Sequence, residues 1–330
     1  MKVAVFNTKP YDSEALNKAN QDHHHELTFF KTRLSQETQN TVQGFDAVCV
    51  FVNDLLDNTV ITTLAEAGVK LIVLRCAGFN NIDLAAAKAC GIQVARVPEY
   101  SPNSVAEHTL ALVMALARKT HKAYNRVRDG NFSLNGLLGI ELHGRTTGII
   151  GTGKIGVATG KIFQGFGCRV IAYDPYPSDQ TRDMGIEYVS LEALYRQSDI
   201  ISLNCPLTPD THHLFNAETF TKLKPGAMLI NTGRGAIIDT AAAVDAIKLG
   251  QLGYLGLDVY EQESDLFFED LSNEIIHDDT FERLLTFPNV IITGHQGFFT
   301  DTAMGNIAKT TIENLTGFEN NSLDITLVKA

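Results

Sequence analysis

Three short segments hold side chains suited to moving a proton beside a bound acid. Asn231-Thr232-Gly233-Arg234-Gly235 sets a guanidinium between glycines, in a turn that a ligand can approach closely. An arginine so placed can grip a carboxylate through two parallel hydrogen bonds. Leu257-Asp258-Val259-Tyr260-Glu261-Gln262-Glu263 offers two carboxylates of interest, Asp258 and Glu263. Thr293-Gly294-His295-Gln296 puts His295 at a glycine turn. Histidine is the usual proton shuttle for an alcohol–ketone pair at neutral pH. A neighbouring carboxylate favours its imidazolium form. Taken singly, these read more plainly as a surface arginine, an acidic loop and a hydrogen-bonded histidine. Only the set points to chemistry.

Each segment follows an apolar run of strand type: Ala227–Asn231, Tyr254–Leu257 and Val290–Thr293. In an open α/β sheet, ligands bind at the carboxyl ends of the strands. The stretch that organises such a sheet here is Thr146–Pro175. It reads as strand, glycine turn, helix, strand and acid, with Gly151-Thr152-Gly153-Lys154-Ile155-Gly156 at its turn. Gly151 permits the tight turn, Gly153 keeps side-chain atoms away from a pyrophosphate, and Gly156 lets helix and strand pack closely. Lys154 and Ile155 open the helix, whose free N–H groups and positive dipole end favour phosphate. Asp174, about 20 residues on, can accept hydrogen bonds from both ribose hydroxyls and repels a 2′-phosphate. The expected cofactor is NAD rather than NADP.

The glycine turn lies mid-chain, so something is built before it. Strands at Lys2–Phe6, Ala47–Val52, Val69–Arg75 and Ile92–Val97 alternate with helices at Asp12–Asn20, Val60–Ala67 and Ile82–Ala89, a small parallel α/β unit. Pro98 and Pro102 close it. Asn103 is read as the cap of one long helix running to about Arg128. A strand at Asp199–Leu203 and helices at Leu191–Gln197, Ala217–Lys222 and Thr240–Leu249 complete a doubly wound sheet. A helix over Asp301–Leu315 is expected to return to the first unit. The predicted division is 1–100 plus 300–330 for substrate binding, and 101–299 for NAD. The substrate is expected between them. The acidic stretch Glu261–Glu282 reads as a solvated loop.

The 330 residues suffice for two domains, and 44% hydrophobic content describes a globular protein with a core. A formal net charge of −11 without a basic run argues against nucleic acid and anionic membrane. Cys49, Cys76, Cys90, Cys168 and Cys205 show no C-x-x-C spacing and fit free thiols in a reducing cytoplasm. The amino-terminal apolar run is too short for a signal peptide, and Leu110–Ala117 is far short of a membrane span. His23-His24-His25 has no acid or cysteine at ligand spacing, so no metal is expected.

The glycine turn ending in Asp174, the NTGRG turn, the LDVYEQE segment and the GHQ turn together resemble the D-isomer-specific 2-hydroxyacid dehydrogenases over essentially the whole chain. RCAGFNNIDL at Arg75–Leu84, VAEHTLALVMALAR at Val105–Arg118 and DLFFED at Asp265–Asp270 are similar to its bacterial D-lactate branch, as is Gly294, where many relatives carry proline. The resemblance implies a Rossmann-type doubly wound domain inserted into a smaller flavodoxin-like α/β domain. It implies that Arg234 binds the substrate carboxylate, that His295 protonates the carbonyl oxygen as hydride arrives, and that Glu263 tunes His295. It places Asp258 near the nicotinamide, Ala77, Gly78 and Tyr100 at the substrate, and Phe51, Phe298 and Phe299 as pocket walls. Cys205, Pro206, Thr211, Thr232, Gly233 and Arg234 join the cofactor contacts. The implied reaction is pyruvate to D-lactate in a cytoplasmic homo-oligomer, dimer or tetramer. Another 2-keto acid, or a dinucleotide-sensing scaffold without turnover, are the alternatives.

Overall fold

The computed structural model describes residues 1–322 and 325–328. The chain divides into two compact units, Met1–Ser101 with Phe299–Ala330, and Pro102–Phe298.

The first unit opens with β1 (Lys2–Val5), α1 (Pro10–Ala19), β2 (Glu26–Phe29), β3 (Ala47–Val50), α2 (Asn58–Glu66), β4 (Leu71–Leu74), α3 (Leu84–Ala89) and β5 (Gln93–Arg96). The strands form a parallel sheet in the order β2-β1-β3-β4-β5, the flavodoxin-like arrangement. β3 and β4 are buried on both faces, which explains their unbroken apolar sequences. Val48, Val50, Ile72 and Leu74 pack into one core, and Ala47, Cys49, Leu71 and Val73 into the other.

The second unit begins with α4 (Pro102–Arg118) and α5 (Thr120–Arg128), followed by β6 (Thr146–Ile150), α6 (Lys154–Gly165), β7 (Arg169–Tyr173), α7 (Asp179–Asp183) and β8 (Glu187–Tyr188). Next come α8 (Leu191–Gln197), β9 (Ile200–Leu203), α9 (Ala217–Lys222), β10 (Ala227–Asn231), α10 (Thr240–Lys248), β11 (Leu252–Leu257), α11 (Asp279–Leu285) and β12 (Val290–Ile292). The seven strands are parallel in the order β12-β11-β10-β9-β6-β7-β8. Strand order reverses at β6, so the turn after β6 stands at the switch point where such sheets bind their ligands. Side chains alternate between the faces: Met228 and Ile230 join α4's Leu112, Val113 and Leu116 on one side, and Leu229 faces the opposite core.

α12 (Asp301–Glu319) returns the chain to the first unit, where Ala308, Ile312 and Leu315 share a core with Val3, Val5 and Leu16. Thr300 caps it by accepting the Ala303 N–H.

The helix expected from Asn103 to Arg128 is two helices, and it begins at Pro102 rather than behind a cap at Asn103. Lys119 adopts a left-handed conformation, φ 52°, and the Ile140 N–H takes the Ala117 carbonyl that a continuing helix would need. Glu261–Glu282 is not simply a solvated loop, because Phe267 and Phe281 are buried and α11 begins within it. β2, α7 and β8 are further elements without a marked sequence signature; all are short, and β2 is an edge strand only half buried.

Candidate active site

The glycine turn after β6 has the geometry its residue types call for. Gly151 has φ +90°, and a Cβ there would lie 2.7 Å from the Asn204 backbone. A Cβ on Gly156 would lie 1.9 Å from the Gly151 carbonyl oxygen, so only glycine lets α6 start this close to the sheet. At Gly153 the opposite holds, since a Cβ would meet nothing within 4 Å. That open space, at the N-terminus of a 12-residue helix beginning at Lys154 and Ile155, is suited to a pyrophosphate.

Asp174 follows β7 and steadies this loop. One carboxylate oxygen accepts the Thr152 N–H at 2.7 Å and the Thr152 hydroxyl at 3.0 Å, and the other accepts the Tyr176 N–H at 2.8 Å. Thr152 Oγ1 also lies 2.7 Å from the Tyr188 hydroxyl. Thr152 and Tyr188 are supports that sequence reasoning missed. Burial, with Asp174 nearby, pushes the Cys205 thiol up to about 11, so it stays a neutral thiol. Pro206 and Thr211 share a turn in which the Thr211 hydroxyl donates to Pro206 O at 2.6 Å and accepts the Thr208 N–H at 2.8 Å. The Thr211 hydroxyl is therefore engaged within its own turn.

Arg234 stands just past β10, in a turn stapled by one side chain. Asn231 Oδ1 accepts the Gly233 N–H at 3.0 Å, and Asn231 Nδ2 donates to Arg234 O at 2.9 Å. This double anchor fixes the backbone that presents the guanidinium. Arg234 itself is partly buried and donates from Nη1 to Gly233 O at 2.7 Å. Thr232 is buried, its hydroxyl 2.9 Å from that of Thr109 on α4.

Asp258 lies just past β11 and is buried. Its carboxylate accepts the Thr293 hydroxyl at 2.5 Å and the Gln296 and Gly297 N–H groups at 2.9 and 2.7 Å. His108 Nε2, from α4, lies 3.1 Å away. Burial pushes the acid's pKa up, but the hydrogen bonds from His108 and Thr293 outweigh it and hold the carboxyl below the usual carboxylate range. His108 and Thr293 escaped the sequence reading because nothing local marks them.

His295 has φ 54°, a left-handed conformation that turns its side chain out of the end of β12. Its Nδ1 lies 2.9 Å from Glu263 Oε1. Glu263 Oε2 in turn accepts the Tyr260 N–H at 3.0 Å. The rings of Phe268 and Phe298 flank the histidine, at 5.7 and 6.4 Å between centroids. The geometry thus pairs His295 with Glu263, while Asp258 holds the turn on the histidine's C-terminal side. An imidazole held through Nδ1 by a carboxylate can exchange a proton at Nε2.

The first unit holds the other expected positions. The Ala77 carbonyl accepts from Arg96 Nη1 at 2.7 Å, the Gly78 carbonyl accepts from the Cys76 thiol at 3.3 Å, and the Tyr100 carbonyl accepts from Asn306 Nδ2 at 2.6 Å. Phe299 packs edge-on against Tyr11, 4.7 Å between centroids, and Arg75 sits over the Phe51 ring at 5.1 Å. All five cysteines are free thiols. Among the described residues no helix is long and apolar enough to cross a membrane.

Residues 110–297 match the family model described as D-isomer specific 2-hydroxyacid dehydrogenase, NAD binding domain. The chain is 52% identical over 319 residues to the D-lactate dehydrogenase of Escherichia coli K12, covering 97% of each chain. It superposes on the solved pyruvate reductase of Chlamydomonas reinhardtii with a TM-score of 0.93 and 44% identity, covering 98% of this chain and 97% of that one. The D-lactate dehydrogenase of Aquifex aeolicus complexed with NAD and lactic acid gives a TM-score of 0.87 at 33% identity, covering 99% and 100%.

Proposed function

Because the chain belongs to the D-isomer-specific 2-hydroxyacid dehydrogenases, an NAD-dependent enzyme family, we propose that it reduces pyruvate to D-lactate. One observation carries the chemistry: the hydrogen bond between His295 Nδ1 and Glu263. The choice of pyruvate is supported by the names of its whole-length relatives, a D-lactate dehydrogenase and a pyruvate reductase.

NAD is the cofactor, and in its reduced form it supplies the hydride. The space beside Gly153 and the N–H groups opening α6 would hold its pyrophosphate, and Asp174 its ribose hydroxyls. The neutral Cys205 thiol and the Pro206 turn would border the adenosine side, with Thr211 as a shaping rather than a donating residue. Thr232, Gly233 and the Asp258 network would border the nicotinamide side.

Arg234 is the proposed carboxylate anchor. Two parallel hydrogen bonds would orient the keto acid, and the positive charge would favour the developing alkoxide. His295 donates its proton from Nε2, because Nδ1 is committed to Glu263. Glu263 holds the ring through Nδ1 and so leaves Nε2 to make the transfer. Ala77, Gly78, Tyr100 and Phe299 are the first unit's proposed contribution to substrate binding, with Phe51 and Phe298 as apolar walls.

Tyr124, Val127, Phe132, Leu134 and Leu138 are large apolar side chains exposed on α5 and the loop after it, which supports a contact between copies of the chain in a dimer or tetramer. Free thiols throughout support residence in a reducing cytoplasm.

The deciding assay is NADH oxidation with pyruvate, by wild type and His295→Ala, with chiral analysis of the product. D-lactate from wild type and a collapsed rate in the variant are expected. Turnover of other 2-keto acids but not pyruvate would overturn the substrate; L-lactate would overturn the stereochemistry.

A further inference from the structure

A second cluster of histidine and carboxylate lies in the NAD-binding unit, outside the Arg234–Glu263–His295 set. His212 and His213 lie between β9 and α9, and Glu261 follows β11. One potential ligand atom from each falls within 4.8 Å of the others. We propose that His212, His213 and Glu261 form a zinc-type divalent cation site that clips the Thr208–His213 turn to the Tyr260–Glu263 turn.

The backbone prepares this arrangement. Consecutive side chains ordinarily diverge, but His213 has φ 50° and its ring stacks on that of His212, 4.0 Å between centroids at 26°. The His213 N–H is anchored on Ala236 O at 2.8 Å, and the His212 N–H on Thr208 O at 2.9 Å. Glu261 is held from behind, since its Oε2 accepts the Thr240 hydroxyl at 3.2 Å. That leaves Oε1 facing His213 Nε2, at 2.6 Å. A carboxylate clamped on one oxygen and two imidazoles on a fixed turn form a partly preorganised donor set.

The donor chemistry selects the ion. Two imidazole nitrogens and one carboxylate oxygen suit Zn²⁺, with water in a fourth position. Nickel and copper would compete for the same nitrogens, whereas calcium and magnesium prefer oxygen. Bonds of about 2.0–2.1 Å would set the ligand atoms roughly 3.3 Å apart. The exposed His212 ring would therefore swing inward, and the short His213–Glu261 contact would open. The proton shared between His213 and Glu261 would move to His213 Nδ1 or to solvent.

This departs from the sequence expectation of no metal. Local spacing does not reveal the cluster, because the acid that completes it lies 48 residues from His213 in the chain.

The test uses the full-length protein, stripped with EDTA and desalted. Zn²⁺ binding is measured by calorimetry, Co²⁺ reports ligand geometry through its visible absorption, and Tm is followed with and without Zn²⁺. Wild type should bind one Zn²⁺, give a cobalt spectrum of low coordination number, and melt higher with zinc. His212→Ala, at an exposed position, should weaken binding about tenfold or more and abolish the rise in Tm, with Glu261→Gln behaving alike. His24→Ala and His295→Ala should bind as wild type does. Undiminished binding by His212→Ala, or binding lost only in His24→Ala or His295→Ala, would overturn the assignment.

Discussion

The Asp258 carboxylate accepts the backbone N–H of Gln296 at 2.9 Å, the residue directly after His295. A buried charge thus positions the histidine's turn without touching the imidazole through that bond. Its pKa is depressed in the folded chain, so the stability it contributes is fully present above the unfolded aspartate value near 3.9 and is lost as pH falls through the lower folded value. Asp258→Asn should therefore flatten the acid limb of a stability-versus-pH curve. It should also lower kcat by loosening the His295 turn. Parallel urea titrations from neutral to acid pH, with steady-state kinetics, check both.

His295→Ala should reduce kcat/KM by about 10²–10⁴-fold, the usual worth of a general acid. NADH affinity should change little, because the histidine is assigned to the keto acid. Glu263→Gln should lower kcat more than it raises KM. Fluorescence titration with NADH alongside initial rates separates binding from chemistry.

Arg234→Lys keeps the charge and loses the planar fork. KM for the keto acid should rise while the NADH dissociation constant stays near wild type. A variant with unchanged KM would remove Arg234 as the anchor.

Gly153→Ala and Gly156→Ala should fail differently. The Gly156 Cβ would collide with the Gly151 carbonyl, so Tm should drop, at about 1–3 kcal/mol for overpacking. A Gly153 Cβ meets no protein atom within 4 Å, so Tm should hold while NADH binding weakens. Calorimetry on the free protein and NADH titration distinguish the two.

Asp174→Ala should narrow the preference for NADH over NADPH, measured as the ratio of kcat/KM values. It should also raise KM for NADH, because the Thr152 N–H loses its acceptor. Unchanged selectivity would sink the ribose assignment.

The legible features were local ones. The spacing of Gly151, Gly153, Gly156 and Asp174 encodes a turn, an open space, a close contact and an acid within a single strand–helix–strand unit, so sequence sufficed. Strands β3 and β4 were legible because burial on both faces makes their apolar runs continuous, and β9 and β10 because only Ser202 and the terminal Asn231 interrupt theirs. The break at Lys119 was hidden because apolar periodicity runs up to it, and the competitor for the Ala117 carbonyl comes from Ile140. Asn231 looked like the end of a strand. Its two-sided hold on Gly233 and Arg234 appears only once the turn has closed. His108 needed the packing of α4 to reach Asp258. Phe267 and Phe281 were disguised by the acids around them, which mark a solvated surface in composition but not in packing.

The two-part makeup of the first unit bears on how the chain matures on the ribosome. Val3, Val5, Leu71 and Val73 belong to a core that Ala308, Ile312 and Leu315 complete. During synthesis, that face of the sheet has only α1, through Leu16, against it and lacks its α12 cover through the intervening 197 residues, Pro102–Phe298. The second unit is contiguous and can condense as soon as it emerges. Translation order therefore makes the inserted unit the earlier to mature and leaves the amino-terminal sheet the natural client of a chaperone. Truncations within α12 should accordingly release chains with an exposed apolar sheet face and an already folded nucleotide unit.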